Sequence, residues 1–271
     1  MSEQVSYYRE ENFSLYQVNN NYSLLLQIHA NAFSYAVIYQ NRLMAWAEDC
    51  DYKELDDPAE EHDLLTYDYK NRVIGLPASG FTLIPEVLYN ANHLGDLARF
   101  LDVKPTEKVF AQPLDDINYV VYKQDDKIIA QAEKFGLDKT VFMAKGWIAA
   151  IAASQPHPDQ LYLNLDKKQV EILYFANNKL RFYNTFYFNN SDELAYYAVY
   201  VTQELQLKPE NLNLVLSGDI IIDDSNAGRL SQFFNGVELN HLRPLSLPAE
   251  IPSQKILALA ALSLCVSSEV Y

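Results

Sequence analysis

The sequence predicts an α/β protein made of two tandem copies of one unit, a three-strand antiparallel meander followed by a helix and a further strand. Three observations predict it. The chain matches itself without a gap at an offset of 161 − 24 = 137 residues, about half its length. Within each match, apolar residues recur with the period of two that a pleated strand imposes. Beyond each match stand residues that open helices.

The two matching segments are Leu24 to Leu43 and Leu161 to Leu180. Leu24, Leu26 and Ile28 correspond to Leu161, Leu163 and Leu165, and polar Gln27 corresponds to polar Asn164. Phe33, Tyr35 and Val37 correspond to Val170, Ile172 and Tyr174. The second turn is Asn41-Arg42-Leu43 in one copy and Asn178-Lys179-Leu180 in the other. Asn tolerates the left-handed backbone of tight hairpins, so each copy reads strand, turn, strand, turn, strand. The third strands are expected over Leu43 to Glu48 and Leu180 to Phe188.

A helix follows each meander. In the first copy it starts at Pro58-Ala59-Glu60-Glu61-His62 behind Asp57. In the second it opens at Ser191-Asp192-Glu193, with Ser191 as the N-cap and two acids complementing the helix dipole. Leu194, Tyr197, Val201 and Leu205 give it one apolar face. An apolar strand comes next, Phe81 to Ile84 in the first copy and Leu212 to Leu216 in the second. The second runs into Ser217-Gly218-Asp219, and Asp224-Ser225 caps a helix carrying Ala227, Leu230 and Phe233-Phe234.

Between the copies lies additional material. Strands are expected over Lys108 to Leu114, Tyr119 to Lys123 and Thr140 to Ala144. A helix runs from Asp125-Asp126 to Phe135, stopped by Gly136, and a short apolar helix spans Gly146 to Ala153. Pro156-His157-Pro158 reads as the linker, dividing the chain into 1–155 and 156–271, with an apolar C-terminal helix over Ile256 to Val266 in the second part.

Composition narrows the function classes. A chain of 271 residues with 49% hydrophobic content buries a core without disulfides or metals. Its two cysteines, Cys50 and Cys265, lie far apart and outside any metal-ligand spacing, which fits a reducing compartment. The first residues lack a basic and apolar leader pattern. The longest apolar run, Ile256 to Val266, is shorter than the roughly 20 residues a membrane helix needs. A cytoplasmic protein without membrane insertion is expected. The net charge of −15 repels phosphate backbones and argues against nucleic acid. The 20 tyrosines suit half-buried sheets and protein interfaces.

A meander followed by helix, strand, helix and strand resembles the ribonuclease-H-like unit, and two in tandem resemble the actin-like ATPase superfamily. More specifically, Asn184-Thr185-Phe186-Tyr187-Phe188, the Tyr196-Tyr197 pair, Leu214-Val215-Leu216-Ser217-Gly218-Asp219-Ile220 and Phe81 to Tyr89 resemble a bacterial family of about this length that takes the actin-like fold and has no assigned activity. The resemblance covers residues 20 to 245, and its motifs specify fold better than function.

The superfamily implies a test. Its ATPases hold phosphate in the first hairpin turn of each half, with an Asp for Mg²⁺ and glycines that let backbone N–H groups approach phosphate. Here the first turn is His29-Ala30-Asn31-Ala32, with neither Asp nor Gly, and the second is Asp166-Lys167-Lys168-Gln169, with Asp166 but no Gly. Mg²⁺ prefers oxygen ligands, so His29 is a poor anchor. ATP hydrolysis is therefore not expected, and Asp166-Lys167-Lys168 reads as an exposed turn. If a nucleotide binds, the resemblance places it at Asp166, Ser217, Gly218 and Asp219; without one, Gly218 is a turn glycine with positive φ.

Other chemistry is not supported. The acidic segment Glu48 to Asp63 lacks the ligand spacing and central Gly of a calcium loop and reads as a solvated loop and helix start. The nuclease arrangement of several carboxylates around two metals is missing, because His29 stands opposite Asp166 in the repeat. His29, His62, His93, His157 and His241 are scattered, and no nucleophile motif accompanies them. No catalytic residue and no metal ligand is therefore expected. Two readings remain: a non-catalytic actin-like scaffold that binds another protein or itself without a cofactor, and a divergent nucleotide-binding protein or weak ATPase using ATP and Mg²⁺.

Overall fold

The structure, a computed structural model, describes residues 6–11, 13, 21–55 and 64–266. The first-copy helix expected at 58–62 and the acid-rich stretch 56–63 lie outside these residues. The chain divides into two compact units, Met1–Gly146 with Leu259–Tyr271, and Trp147–Ala258.

In the first unit, β1 (Tyr7–Arg9), β2 (Tyr22–Ile28), β3 (Ala32–Tyr39), β4 (Arg42–Asp51), β5 (Asn71–Leu76) and, later in the chain, a strand at Thr140–Phe142 form one sheet. Three further strands, β6 (Gly80–Pro85), β7 (Glu107–Pro113) and β8 (Asn118–Asp125), form a separate sheet in the order β6-β8-β7. With Thr140–Phe142 numbered β9, the larger sheet runs β1-β4-β3-β2-β5-β9. Short helices connect these strands, among them α1 (Leu94–Ala98) and α2 (Asp126–Glu133), the latter capped by the Asp125 side chain on Lys127 N. Next comes α3 (Lys145–Ala153).

The second unit holds β10 (Gln160–Asp166), β11 (Gln169–Ala176), β12 (Lys179–Tyr187), α4 (Ser191–Glu204), β13 (Asn213–Gly218), α5 (Ser225–Leu230) and β14 (Gly236–Leu239). Its sheet runs β12-β11-β10-β13-β14. This is the order β4-β3-β2-β5-β9 of the first unit, in which β1 adds an edge strand. In both, the meander is antiparallel and the last two strands run parallel to its first strand.

The sequence match is also a match of register. Leu24, Leu26 and Ile28 pair with Val37, Tyr35 and Phe33. Leu161, Leu163 and Leu165 pair with Tyr174, Ile172 and Val170, which are the same positions shifted by 137. The second turns agree as well. Gln40 and Asn41 have φ of 46° and 66°, and Asn177 and Asn178 have φ of 54° and 56°. Each closes a two-residue hairpin with both central residues left-handed, the turn whose twist suits paired strands.

The core of the second unit follows from the alternation. Leu161, Leu163, Leu165, Val170, Ile172, Leu214 and Leu216 face α4 and α5, meeting Leu194, Ala198, Val201, Ala227 and Leu230. Each large side chain so buried contributes about 1.5–3 kcal/mol. Helix α4 begins one residue earlier than expected. Asn190, not Ser191, is the N-cap and accepts from Glu193 N at 2.9 Å, while Ser191 Oγ bonds Asn226 Oδ1 at 2.8 Å.

Three expectations are corrected. The strand equivalent to Leu212–Leu216 in the first unit is β5, parallel to β2, whereas Phe81–Ile84 lies in β6 and pairs antiparallel with β8. Val73, Ile74 and Leu76 of β5 are buried, and Gly75 lets Leu26 O and Leu262 Cδ1 approach to 3.4 Å of its missing Cβ position. The division into units falls at 146/147 rather than 155/156. Pro156–Pro158 leads into β10 through a turn closed by Gln160 N on His157 O, inside the second unit. The C-terminal run is helical as α6 (Ser253–Ala260) and a 3₁₀ turn over Ala261–Cys265, and from Leu259 onward it belongs to the first unit. An apolar run announces burial but not the surface it will meet.

Asn178→Val places a β-branched residue at φ of 56° and should lower stability by about 1–2 kcal/mol. Denaturant unfolding should show a lower midpoint with unchanged slope, while Lys179→Ala next to it should leave the midpoint in place.

Candidate functional site

The two first turns are built differently. In the β2–β3 turn, His29 N donates to Ala32 O at 2.9 Å, so the N–H that would open toward a ligand is used internally. The Tyr52 hydroxyl donates to His29 O at 3.0 Å. Its ring stands 5.6 Å from that of Phe33, and burial pushes its phenol up to about 12. Ala30 and Asn31 project into solvent. The β10–β11 turn has Lys167 at φ of 38° and exposes Asp166, Lys167 and Lys168, while Lys168 O accepts from Phe188 N at 2.9 Å. Both turns are thus held by the protein's own groups.

Asp166, Ser217, Gly218 and Asp219 come together at the carboxyl ends of the parallel strands β10 and β13, the place where open α/β sheets bind ligands. Leu165 pairs with Gly218, and Asp219 N donates to Leu165 O at 2.8 Å. Gly218 has φ of 84°, and a Cβ there would lie 2.0 Å from Leu165 O. The glycine is therefore demanded by the neighbouring strand as well as by its own backbone angle. Asp166 and Asp219 are exposed, whereas Ser217 is fully buried with no partner for its Oγ. Among the described residues, no cluster of three His, Cys, Asp or Glu side chains could hold a metal ion.

Sequence reasoning missed a polar row beside this corner. On the face of the second sheet opposite α4 and α5, Asn164 pairs with Glu171 on one side and Ser217 on the other. Asn164 Nδ2 stands 2.6 Å from Glu171 Oε2, and the Tyr183 hydroxyl 2.5 Å from Glu171 Oε1. Desolvation raises the Glu171 carboxyl above the ordinary carboxylate range, Asp166 adds to the rise, and the two hydrogen bonds moderate it. The Asn164 Oδ1 and Asn240 Nδ2 atoms are buried without partners. The available signal was the polar pair Gln27 and Asn164 at equivalent positions of two otherwise apolar strands.

The fold of both units, a meander with two parallel strands joined to its first strand, is that of the actin-like ATPases. A Bacteroides thetaiotaomicron protein with actin-like ATPase fold and unknown function is similar over 90% of this chain and 96% of its own, with a TM-score of 0.71 and 18% identity. The PilM-PilN type IV pilus biogenesis complex contains a chain similar over 90% of this one and 98% of its own, with a TM-score of 0.55 and 14% identity. The chain belongs to the family described as Protein of unknown function (DUF3822), whose model matches residues 10–237. No functionally curated protein is similar to it. No helix among the described residues is long and apolar enough to cross a membrane.

Gly218→Ala should destabilise the protein by about 2–5 kcal/mol, through left-handed strain and overpacking against Leu165. Gly228→Ala, in α5 with nothing within 4 Å of its Cβ position, should instead stabilise by up to about 1 kcal/mol. Thermal unfolding of the two variants measures both.

Proposed function

We propose that this chain is a non-catalytic scaffold of actin-like fold that works by binding another protein. The observation that carries the reading is the state of the two first turns. Neither contains a glycine, the first has no carboxylate, and each uses its backbone groups on internal partners. Such turns place side chains where a phosphate-binding turn presents bare backbone. The reading needs neither ATP nor Mg²⁺, and it assigns no catalytic residue.

Two further observations support a protein partner. Tyr196 and Tyr200 of α4 are 62% and 42% exposed. Tyr196 and Tyr200 stack at 6.0 Å, and Tyr197 joins them to Phe186, so an aromatic surface climbs from β12 along α4. Among the described residues β12 is also the outer strand of its sheet. Aromatic surfaces and open strand edges are the usual material of peptide recognition. The pilus-biogenesis complex is an example of this fold engaged with another protein. The net charge of −15 favours a basic partner over nucleic acid. We place the protein in the cytoplasm, where Cys50, which is buried, and Cys265, whose thiol burial pushes up to about 11, stay reduced.

The alternative, nucleotide binding, draws on the exposed Asp166 and Asp219 flanking Leu165. Thermal unfolding with millimolar ATP and Mg²⁺ separates the readings. A site with Kd a hundredfold below the ligand concentration adds about 2.7 kcal/mol, whereas the scaffold reading expects no shift. ATP turnover that disappears in Asp166→Ala would establish the alternative. For the partner, proteins cross-linked to the native chain should be lost with a Tyr196→Ala/Tyr200→Ala variant of unchanged Tm; full retention would remove this surface from the proposal.

A further inference from the structure

We propose, resting on the scaffold reading, that the edge of β12 takes up an extended segment of the partner protein, antiparallel to β12 and with a carboxylate at its carboxyl end. The template lies within the chain. In the first unit, β1 runs antiparallel along the outer strand of the meander, with Tyr7, Tyr8 and Arg9 opposite Ala47, Trp46 and Ala45. Glu48 N donates to Ser6 O at 3.0 Å and Glu10 N to Met44 O at 2.9 Å, closing the pair at both ends. The strand equivalent to β4 in the second unit is β12, and among the described residues no strand lies beyond it. A strand edge of this kind is a template for an incoming extended chain.

The two edges correspond residue by residue. Tyr35, Ala36 and Val37 pair with Ala47, Trp46 and Ala45. Ile172, Leu173 and Tyr174 pair with Asn184, Tyr183 and Phe182, every position shifted by the same 137. Met44 and Glu48, whose backbone groups bond β1, therefore correspond to Arg181 and Thr185. Thr185 N donates to Asn184 Oδ1 at 2.9 Å, so a neighbouring side chain takes the role that Ser6 O has for Glu48 N. In the covered unit the residue at that position is Ala47, which has no such group to offer. Asn184 thus caps an edge donor that an added strand would take over.

Charge fixes which end of the segment goes where. Beside β1, Arg42 Nη2 stands 2.6 Å from Glu10 Oε1. The residue equivalent to Arg42 is Lys179, also a cation, exposed and two positions from exposed Arg181. Among the described residues no carboxylate forms an ion pair with Lys179. On a chain of net charge −15 this end of the edge is a basic spot, and an acid at the position of Glu10 would complement it. Alternation also assigns the side chains. Phe182 and Asn184 lie on the side of the sheet that carries α4, where Phe186 stacks on Tyr197 at 4.8 Å and Tyr196 meets Tyr197 at 5.4 Å. Segment residues opposite Phe182 and Asn184 emerge on that side, so aromatic or aliphatic groups there extend the aromatic surface of α4.

Titrating the ¹⁵N-labelled full chain with a capped synthetic peptide of residues 5–11, Val5-Ser6-Tyr7-Tyr8-Arg9-Glu10-Glu11, tests this at millimolar peptide. The amide resonances of Phe182 to Thr185 should shift and saturate. No shift there, or shifts confined to Met44 to Glu48 through exchange with β1, overturns the inference. Lys179→Glu should weaken the peptide about two- to fivefold, and the peptide carrying Glu10→Lys should reverse that order. Equal affinities of both peptides for both chains overturn the antiparallel seating with its acid on Lys179. Asn184→Ala, which gives β12 the residue of the covered unit, should bind about two- to tenfold tighter because Thr185 N–H is released. Unchanged or weaker binding means that the edge donor takes no part and the augmentation as drawn is wrong. The two readings fail separately. A cross-linked partner that depends on Tyr196 and Tyr200 while the peptide leaves β12 untouched overturns this inference and keeps the scaffold, whereas ATP turnover lost in Asp166→Ala overturns the scaffold itself.

Discussion

Strands β2 and β10 are hydrogen-bonded along both edges, antiparallel to β3 and β11 and parallel to β5 and β13. Every other position in either unit is measured from this double pairing. A strand held on both sides cannot slip by one residue without turning its whole apolar set to the wrong face. Leu161, Leu163 and Leu165 must therefore face α4 and α5, and Asn164 must face the other way. The same register sets Ser217 beside Asn164 and Gly218 beside Leu165. The packed core, the polar row and the corner holding Asp166 and Asp219 are three consequences of one set of backbone hydrogen bonds.

Much of this was legible in the sequence, because the signals are local. Alternation of apolar residues needs only the pleat, and Asn41 and Asn178 announce left-handed turns by their own chemistry. What was not legible depends on distant partners. Asn71–Leu76 has a polar start and a glycine, and no strand was expected there, yet it takes the central parallel position with Val73, Ile74 and Leu76 buried. Phe81–Ile84 reads as the stronger strand and ends in the smaller sheet, half-buried. Intrinsic strand preference ranks such segments, but the parallel neighbour is chosen by long-range packing. Asn190 and Ser191 are both good caps, and only the chain's entry angle decides between them.

The candidate site was legible in part for the same reason. The turns could be placed from the repeat, and the residues they carry could be read directly. Their internal bonds could not. Tyr52 lies 23 residues from His29, and nothing in its surroundings in sequence indicates that its hydroxyl holds the turn's carbonyl. Glu171 was visible only as one residue of a strand. Its environment comes from Tyr183 on one neighbouring strand and Asn164 on another, so its chemistry appears only when the register is known.

The distribution of glycine connects fold and function. Gly218 stands where a Cβ would strike Leu165 O, and Gly146 where one would lie 2.6 Å from the backbone of Ala261. Both answer to contacts within the chain. The two first turns carry side chains throughout, at Lys167 even in the left-handed region with φ of 38°, where glycine would be unstrained. The protein has side chains at those turns and glycine where its own backbone requires it. A chain that had to cradle phosphate would carry both kinds. This one carries the kind that folding demands, and the scaffold role we propose stands on that difference.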